Sequence, residues 1–589
     1  MSTKSLENFF SGKTLAVPSY QRDYAWQRRN VDDLFSDVEE ALDSGGGHYM
    51  GTFILSQPHL SAPAQVVDGQ QRLTTLTMLL NALISVLDEP EIQQHYRNLF
   101  IRSPVTGIKF QVLGDNEQFF GDMLAGKPVT PVSDGQERLL NAYQWISQRV
   151  NALCSTGGQE AVKKWLQCIS LMEVMEFVEP NEGKAIRMFQ SVNDRGVPLA
   201  RMDIVKSLLV YYSNRYLDAK LDDHIAHQFG MAFRSFNRIK RLARDAACRV
   251  DLIARDTFRE DDILRYHYLA FADKSGAGVD AGGDYAATSD TVLETFLKPA
   301  LARLRSDKVK LNAFVKHYTD DLTSFFGALE QLIENTHNSL DYYLLWVIQD
   351  LSATLYPLVI RLHAMGWVGS VGSKDPRTLL QLVELTDLRV FKLRGTNPQA
   401  DMFRVTRTLA GSSVDQVAQS LLEFCRQFMP DTLIATRLVD LDIYRNPGLE
   451  RMLLQVEELA RVAVKVPALD LDALKDLNRD GLTVEHVMSQ DPGDSFHVSH
   501  YGFSGNEDYE QRRHRFGNLL LLEGSINSAC QNRTVEDKMS ASNLYPKSKL
   551  CAVQALSARH AGAGKRFDKA ALGQRSSELA QIVRDRWPL

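Results

Sequence analysis

Two short stretches of this chain bring reactive side chains to places where the backbone itself lacks partners. In VVDGQQRLTTLTMLL, residues 66–80, an acid, a glycine, two amides and an arginine separate a short apolar run from a longer one. Val66 and Val67 end a strand-like segment, and Leu73, Leu76, Leu80, Leu83 and Leu87 recur at the spacing of an amphipathic helix. Asp68-Gly69-Gln70-Gln71-Arg72 is therefore expected on a strand-to-helix turn, where unpaired N–H groups and the helix dipole favour an anion. A guanidinium in the first helical turn is well placed for bidentate phosphate contact, which points to Arg72. Asp68 can serve a magnesium ion or a hydroxyl, and the sequence does not choose between them. The second stretch is LTVEHVMSQ (482–490) followed by RRHRFGNLLLLEGSINSACQNRTVEDK (512–538). Residues 482–484 read as a strand ending in Glu485-His486, and 516–522 as a second strand entered through Gly517-Asn518. A turn at 523–525 follows, and Asn527 begins a helical stretch. A neutral imidazole poised near physiological pH is a suitable general base, and hard oxygen groups such as these can hold a cation.

Other elements must position these groups. VPSYQRDYAWQRRNVDDLFSDV (17–38) interleaves Tyr20, Tyr24 and Trp26 with Arg22, Arg28 and Arg29. Such a mixture can stack bases and grip phosphates, or the aromatics can fill a core while the arginines stay solvated. In FQSVNDRGVPLARMDIVKSLLV (189–210), 193–196 read as a turn before a helix from about Met202, and Arg195 is a second anion candidate. Residues 1–215 mix short β-like runs (50–55, 65–67, 169–178) with helices, and Gly45-Gly46-Gly47 reads as a turn. Residues 216–455 read as mostly helical, with a Gly/Ala-rich loop at 274–289. A polar segment rich in His, Asn, Gly and Arg spans 481–545.

Composition narrows the classes. At 589 residues the chain exceeds one ordinary core. No window approaches a membrane span, the N-terminal residues carry no signal-peptide core, and six scattered cysteines without CxxC fit a reducing cytoplasm. The net charge of −6 leaves nucleic-acid binding to local basic patches, with 234–249 and 511–515 as candidates. No GxxxxGK[ST] occurs, which excludes a P-loop.

Taken together, VPSYQRDYAW, VDGQQRLTTL and NDRGVPL resemble the N-terminal domain of GmrSD-type modification-dependent (type IV) restriction enzymes, a ParB/sulfiredoxin-like α/β module. The resemblance implies a nucleoside triphosphate site built from Asp68, Gly69, Gln70, Gln71 and Arg72, with Gln21, Arg22 and Arg195 beside it. The second stretch resembles an HNH (ββα-metal) nuclease, found fused to that module in the same order. His486 is then the general base, Asn518 orients its imidazole through its side chain or backbone carbonyl, and Glu485 and Asn527 hold one Mg²⁺ or Mn²⁺. Gln531, one helical turn after Asn527, shares its face and completes the site directly or through water. Amides where many such enzymes have histidine argue for Mg²⁺ or Mn²⁺ over zinc. Tyr20, Tyr24, Trp26, Arg512, Arg513, Arg515 and Lys538 are the expected DNA contacts.

The expectation is thus an α+β multidomain protein. It has a ParB/sulfiredoxin-like nucleotide-binding domain (1–215), a helical connecting region (216–455) and an HNH nuclease domain (456–589). It would be a cytoplasmic, triphosphate-regulated endonuclease acting on modified phage DNA, with no membrane partner and self-association left open. Two rivals stand beside it: a ParB-like, nucleotide-switched DNA-binding protein with a silent nuclease half, and a toxin-like nuclease indifferent to modification. His497, His500 and His514 form a competing zinc candidate.

Overall fold

The computed structural model describes residues 2–18, 21, 23–43, 49–57, 59, 62–104, 107–180, 200–280, 282–491, 497–560 and 566–589. Tyr20, Arg22, Arg195 and the Gly45–Gly47 turn lie outside the described residues. The chain is a mixed α+β, multidomain protein. It divides into two compact units: Met1–Asn237 with Asp273–Asp280 and Ser289–Thr323, and Arg238–Ala272 with Ala281–Thr288 and Ser324–Leu589.

Among the described residues of the first unit, β1 (Ser2–Ser5), β2 (Leu15–Ala16), β3 (Tyr49–Ser56), β4 (Ala64–Asp68), β7 (Phe110–Gln111) and β8 (Glu173–Glu179) form one mixed sheet, ordered β1-β8-β3-β4-β2-β7. A small hairpin, β5 (Arg102–Ser103) with β6 (Gly107–Ile108), stands apart. β3 pairs parallel with β8 and antiparallel with β4, and Ile54 opposes Asp68. The β-like run expected at 169–178 is split. Residues 169–171 end the helix Asp134–Leu171, and the strand starts at Glu173.

The motif helix, Gln70–Ser85, follows β4 through Gly69. It is not amphipathic. All of its residues from Leu73 to Ile84 are buried, including Thr74, Thr75, Thr77 and Asn81. Threonine tolerates this burial because its hydroxyl can donate back to the carbonyl four residues earlier. Thr74 donates to Gln70 O (2.8 Å), Thr75 to Gln71 O (2.9 Å) and Thr77 to Leu73 O (2.8 Å). Leu73, Leu76, Leu80 and Leu83 join a core with Phe9, Phe10, Phe53 and Leu166, each buried leucine adding about 1.5–3 kcal/mol over exposure.

On β8, beside the edge strand β1, the buried Glu176 carboxylate accepts from Lys4 Nζ (2.5 Å) and from Lys13 Nζ. Burial alone would raise its pKa, but the two ammonium groups outweigh burial and hold it below the usual carboxylate value. A carboxyl whose pKa falls on folding stabilises the fold above its unfolded pKa, and that contribution fades as pH drops through the lowered value. The melting temperature of the first unit should therefore fall as pH is lowered below about 4.5. Glu176→Gln should flatten that acid limb in melts followed by circular dichroism.

The second unit is helical around one antiparallel hairpin, β9 (Leu482–His486) with β10 (Leu519–Glu523), in which Leu519 opposes His486 and Leu520 opposes Glu485. The expected strand at 516–522 begins later, because 516–518 form one 3₁₀ turn. Within the expected helical region, the periodic stretch LDYYLLWVIQDLSATLYPLVIRLHAM (340–365) breaks at 349–352 around Asp350, whose φ is +53°. Helix resumes at Tyr356, with Pro357 in the first turn, where its missing N–H costs nothing. Val414–Phe428 is helical as expected, opened by a Ser413/Gln416 capping box. Between 274 and 288 the described residues contain neither helix nor strand.

The C-terminal helix Lys569–Arg586 leads to Trp587, which is buried. Its indole Nε1 donates to Glu384 Oε1 (3.3 Å), its carbonyl accepts from Arg389 Nε (3.0 Å), and the Arg451 guanidinium lies 4.9 Å from its ring centroid. Among the described residues, no helix is long and apolar enough to cross a membrane.

Candidate functional sites

The first site grows from the end of β4. Gly69 has φ +95°, and a Cβ there would stand 2.3 Å from Phe53 Cδ1, so both conformation and space demand glycine. No side chain caps the helix that begins at Gln70, and the positive end of a helix dipole favours an anion. Asp68 Oδ1 accepts from Gly69 N (2.8 Å). Burial pushes the Asp68 pKa up, against the opposing charge of Arg72 and that hydrogen bond. Arg72 reaches across β3, donating to Thr52 O (3.4 Å) with its guanidinium 5.5 Å from the Phe53 ring.

Gln21, Asp23 and Ala25 are fastened onto this turn. Gln21 Nε2 donates to Val67 O (2.9 Å), Gln71 Oε1 accepts from Ala25 N (2.8 Å), and Gln71 Nε2 donates to Asp23 O (3.1 Å). The structure thus gathers Gln21, Asp68, Gly69, Gln70, Gln71 and Arg72 at one corner, with Gln71 holding backbone at both ends of its amide. Gly69→Ala should destabilise the first unit by at least about 1–3 kcal/mol through the forbidden backbone angle. It should weaken triphosphate binding with it, as measured by thermal unfolding and calorimetric titration.

In the second unit, the His486 imidazole is 5% exposed and its Nε2 lies 2.9 Å from His514 Nδ1. The Tyr444 ring stacks on His514 (5.2 Å, 9°) and tilts against His486 (4.4 Å, 57°). Burial first, then the neighbouring His514, Lys538 and Arg513, lower the His486 pKa to about 3, so the ring is neutral at physiological pH. Asn518 is fully buried. Its Oδ1 accepts from Met488 N (2.8 Å), and its Nδ2 donates to Met488 O (3.0 Å) and Arg513 O (2.7 Å). One carboxamide therefore fixes the backbone just after His486 and just before His514. Gly517 N donates to Ser576 Oγ (2.9 Å), and a Cβ at 517 would fall 2.1 Å from Leu572 O, so the C-terminal helix closes directly on this turn.

Residues 6–210 match the family described as the GmrSD restriction endonuclease N-terminal domain, and residues 455–582 match its C-terminal domain. The chain belongs to the GmrSD restriction endonuclease family. Restriction endonucleases are hydrolases whose substrate is DNA. No curated protein matches the chain.

Several expected contacts of this GmrSD-family chain stand differently in the structure. Tyr24 is 5% exposed and its hydroxyl bonds Thr75 Oγ1 (2.8 Å), so it is a core aromatic, and Trp26 is half-buried against the same core. Lys538 is 1% exposed. Its ammonium donates to Glu485 Oε1 (2.6 Å) and His486 O (2.7 Å) and cannot reach a phosphate from there. Adjacent strand residues project to opposite faces, so Glu485 turns to Lys538 while His486 turns to His514. Asn518 does not touch the imidazole; it acts through backbone. Asn527 lies inside the helix Gly524–Cys530 and donates to Thr483 Oγ1 (2.8 Å), three residues before His486. Gln531 does not share its face, because the helix ends at Cys530 and Gln531 turns out to solvent with φ +43°.

The basic patches are largely tied down. Arg512 pairs with Asp508 and Arg515 with Asp440, while Arg513 donates to Gln490 O (3.0 Å). Within 234–249, Arg238 pairs with Glu330 and Glu334, Arg244 with Asp256, and Lys240 donates to Ile253 O (2.7 Å). Among the described residues, no group of three or more His, Cys, Asp or Glu side chains could hold a metal ion. His514, counted in the sequence with His497 and His500, partners His486 instead. Tyr444 carried no signal; it reaches the site only because Ile443 N donates to His514 O (3.2 Å).

Proposed function

We propose that this chain is a nucleoside triphosphate-regulated, modification-dependent DNA endonuclease of the type IV restriction class, directed at phage DNA. It would hydrolyse phosphodiester bonds from an HNH-type hairpin centred on His486. The observation that carries the reading is a neutral, buried imidazole at the end of β9, held 2.9 Å from His514, whose flanking backbone is fixed by the Asn518 carboxamide just before β10, in a chain matching GmrSD domains at both ends. In this reading the water oxygen attacks phosphorus as His486 takes its proton, and the P–O bond to the leaving strand breaks. The arriving phosphate charge raises the affinity of the imidazole for that proton, and His514 steadies the ring across the 2.9 Å contact. The uncapped helix at Gln70, with Arg72 and Asp68 beside it, is the proposed triphosphate site.

Mg²⁺ or Mn²⁺ remains the proposed cofactor on the chemistry of hard oxygen donors. As arranged, the donors do not fit it. The charge of Glu485 is met by Lys538, and Asn527 is engaged by Thr483, so a divalent cation would take the carboxylate only in exchange for the ammonium. No step is routed through a metal. The same pairing favours one second reading, a nucleotide-switched DNA-binding protein whose hairpin is silent. A cleavage assay separates them: plain, methylated and glucosylated DNA, each with and without triphosphate and Mg²⁺. Cutting confined to modified DNA with both additives supports the proposal. Equal cutting of all DNAs without triphosphate overturns the modification and nucleotide dependence, and no cutting anywhere favours the silent hairpin.

A further inference from the structure

The first unit holds a cleft of about 570 Å³ beside the far half of the motif helix. Thr77 and Asn81 line it from that helix, Phe110 and Phe120 from its walls, and Arg97 and Arg102 from its rim. Asn81 is eleven residues past Gln70, so about 16 Å of helix separates this cleft from the proposed triphosphate corner.

Its chemistry is specific. The Asn81 carboxamide is fully buried, and its orientation is set by Leu124 O, which can only accept. Asn81 Nδ2 donates there (3.0 Å) and to Tyr143 OH (2.8 Å). That leaves Oδ1 as a buried acceptor with no partner among the described residues. A buried acceptor left unpaired is costly, and a donor at the inner end of a ligand would satisfy it. The walls are aromatic and aliphatic, which suits a flat ring. At the mouth, Arg97, Arg102 and Lys127 face Glu117 and Asp122, and Lys127 pairs with Asp122 at 2.7 Å. The two arginines therefore outweigh the one remaining carboxylate, and the mouth favours an anion.

An inner N–H donor, a flat body and an outer anion together describe a mononucleotide, because every nucleobase carries at least one N–H. We propose that this cleft binds a single mononucleotide unit, separately from the Asp68–Arg72 corner. Choosing a nucleotide among aromatic anions rests on the DNA substrate of the proposed function. The unit can be a free nucleotide or one base swung out of a strand.

Calorimetric titration of the full chain with each deoxynucleoside monophosphate tests this, in the wild type, in Arg72→Ala and in Arg97→Glu/Arg102→Glu. One equivalent should bind to the wild type and to Arg72→Ala, and the double variant should weaken it by at least about tenfold with melting temperature preserved. A single-stranded oligonucleotide that competes identifies the strand as the source, and one that does not identifies the free nucleotide. Absence of binding at millimolar ligand overturns the proposal. So does binding that is lost in Arg72→Ala and kept in the double variant, or binding of the aromatic anion anilinonaphthalene sulfonate alone. DNA cleavage followed on the same preparations shows separately whether the nuclease reading stands.

Discussion

His486→Ala should lower DNA cleavage by about 10²–10⁴-fold, the range expected when a general base is removed. The side chain makes one described hydrogen bond, to His514, and no backbone of β9 depends on it. The hairpin should therefore persist in the variant, with far-ultraviolet circular dichroism unchanged. The truncation leaves a slot bordered by the Tyr444 and His514 rings. Added imidazole can enter such a slot and restore part of the rate, as it could not if the residue served only packing. His514→Ala should cost less, since that ring steadies the base without replacing it. Unchanged cleavage in His486→Ala would remove the hairpin from the chemistry altogether.

The second large effect concerns Lys538. Breaking a buried ion pair by removing one partner strands the other charge in a medium that solvates it poorly, at a cost of about 3–5 kcal/mol. Lys538→Met should do this to Glu485, whose carboxyl burial already drives up in pKa against the ammonium. Protection of the β9 and β10 amides against hydrogen exchange should fall accordingly, and Glu485→Gln in the same chain should restore most of it. If Lys538→Met also raises affinity for Mn²⁺, followed by electron paramagnetic resonance, the ammonium and the metal compete for one carboxylate. If protection is unchanged in Lys538→Met, the pair is not what holds this face of the hairpin.

The sequence was legible where its signals are local. The turn at Gly69, the helix after it and the ends of β9 and β10 follow from periodicity and turn residues within a dozen positions. Family membership was readable in VDGQQRLTTL and GNLLLLEGSIN, and both matched segments contain them. What stayed hidden depends on residues distant in the chain. His514 meets His486 across 28 positions and Tyr444 joins them from 42 positions before it, a closure set by Asn518 and Ile443 rather than by any repeat. The apolar spacing of the motif helix suggested one buried face. Its threonines bond their own helix instead of water, so all of its middle could be buried. Gln531 looked like the next turn of a helix because nothing in Cys530-Gln531-Asn532 announces a stop.

Trp587 has a practical consequence for anyone dividing this protein. The stretch that matches the C-terminal domain ends at residue 582, yet the indole five residues later plugs a hole lined by Glu384 and Arg451 and caps Arg389. A fragment trimmed to 455–582 would lack both the plug and the helices that receive it. Such a piece should be prone to aggregate and quick to be digested, so an inactive truncation would say nothing about the nuclease within it.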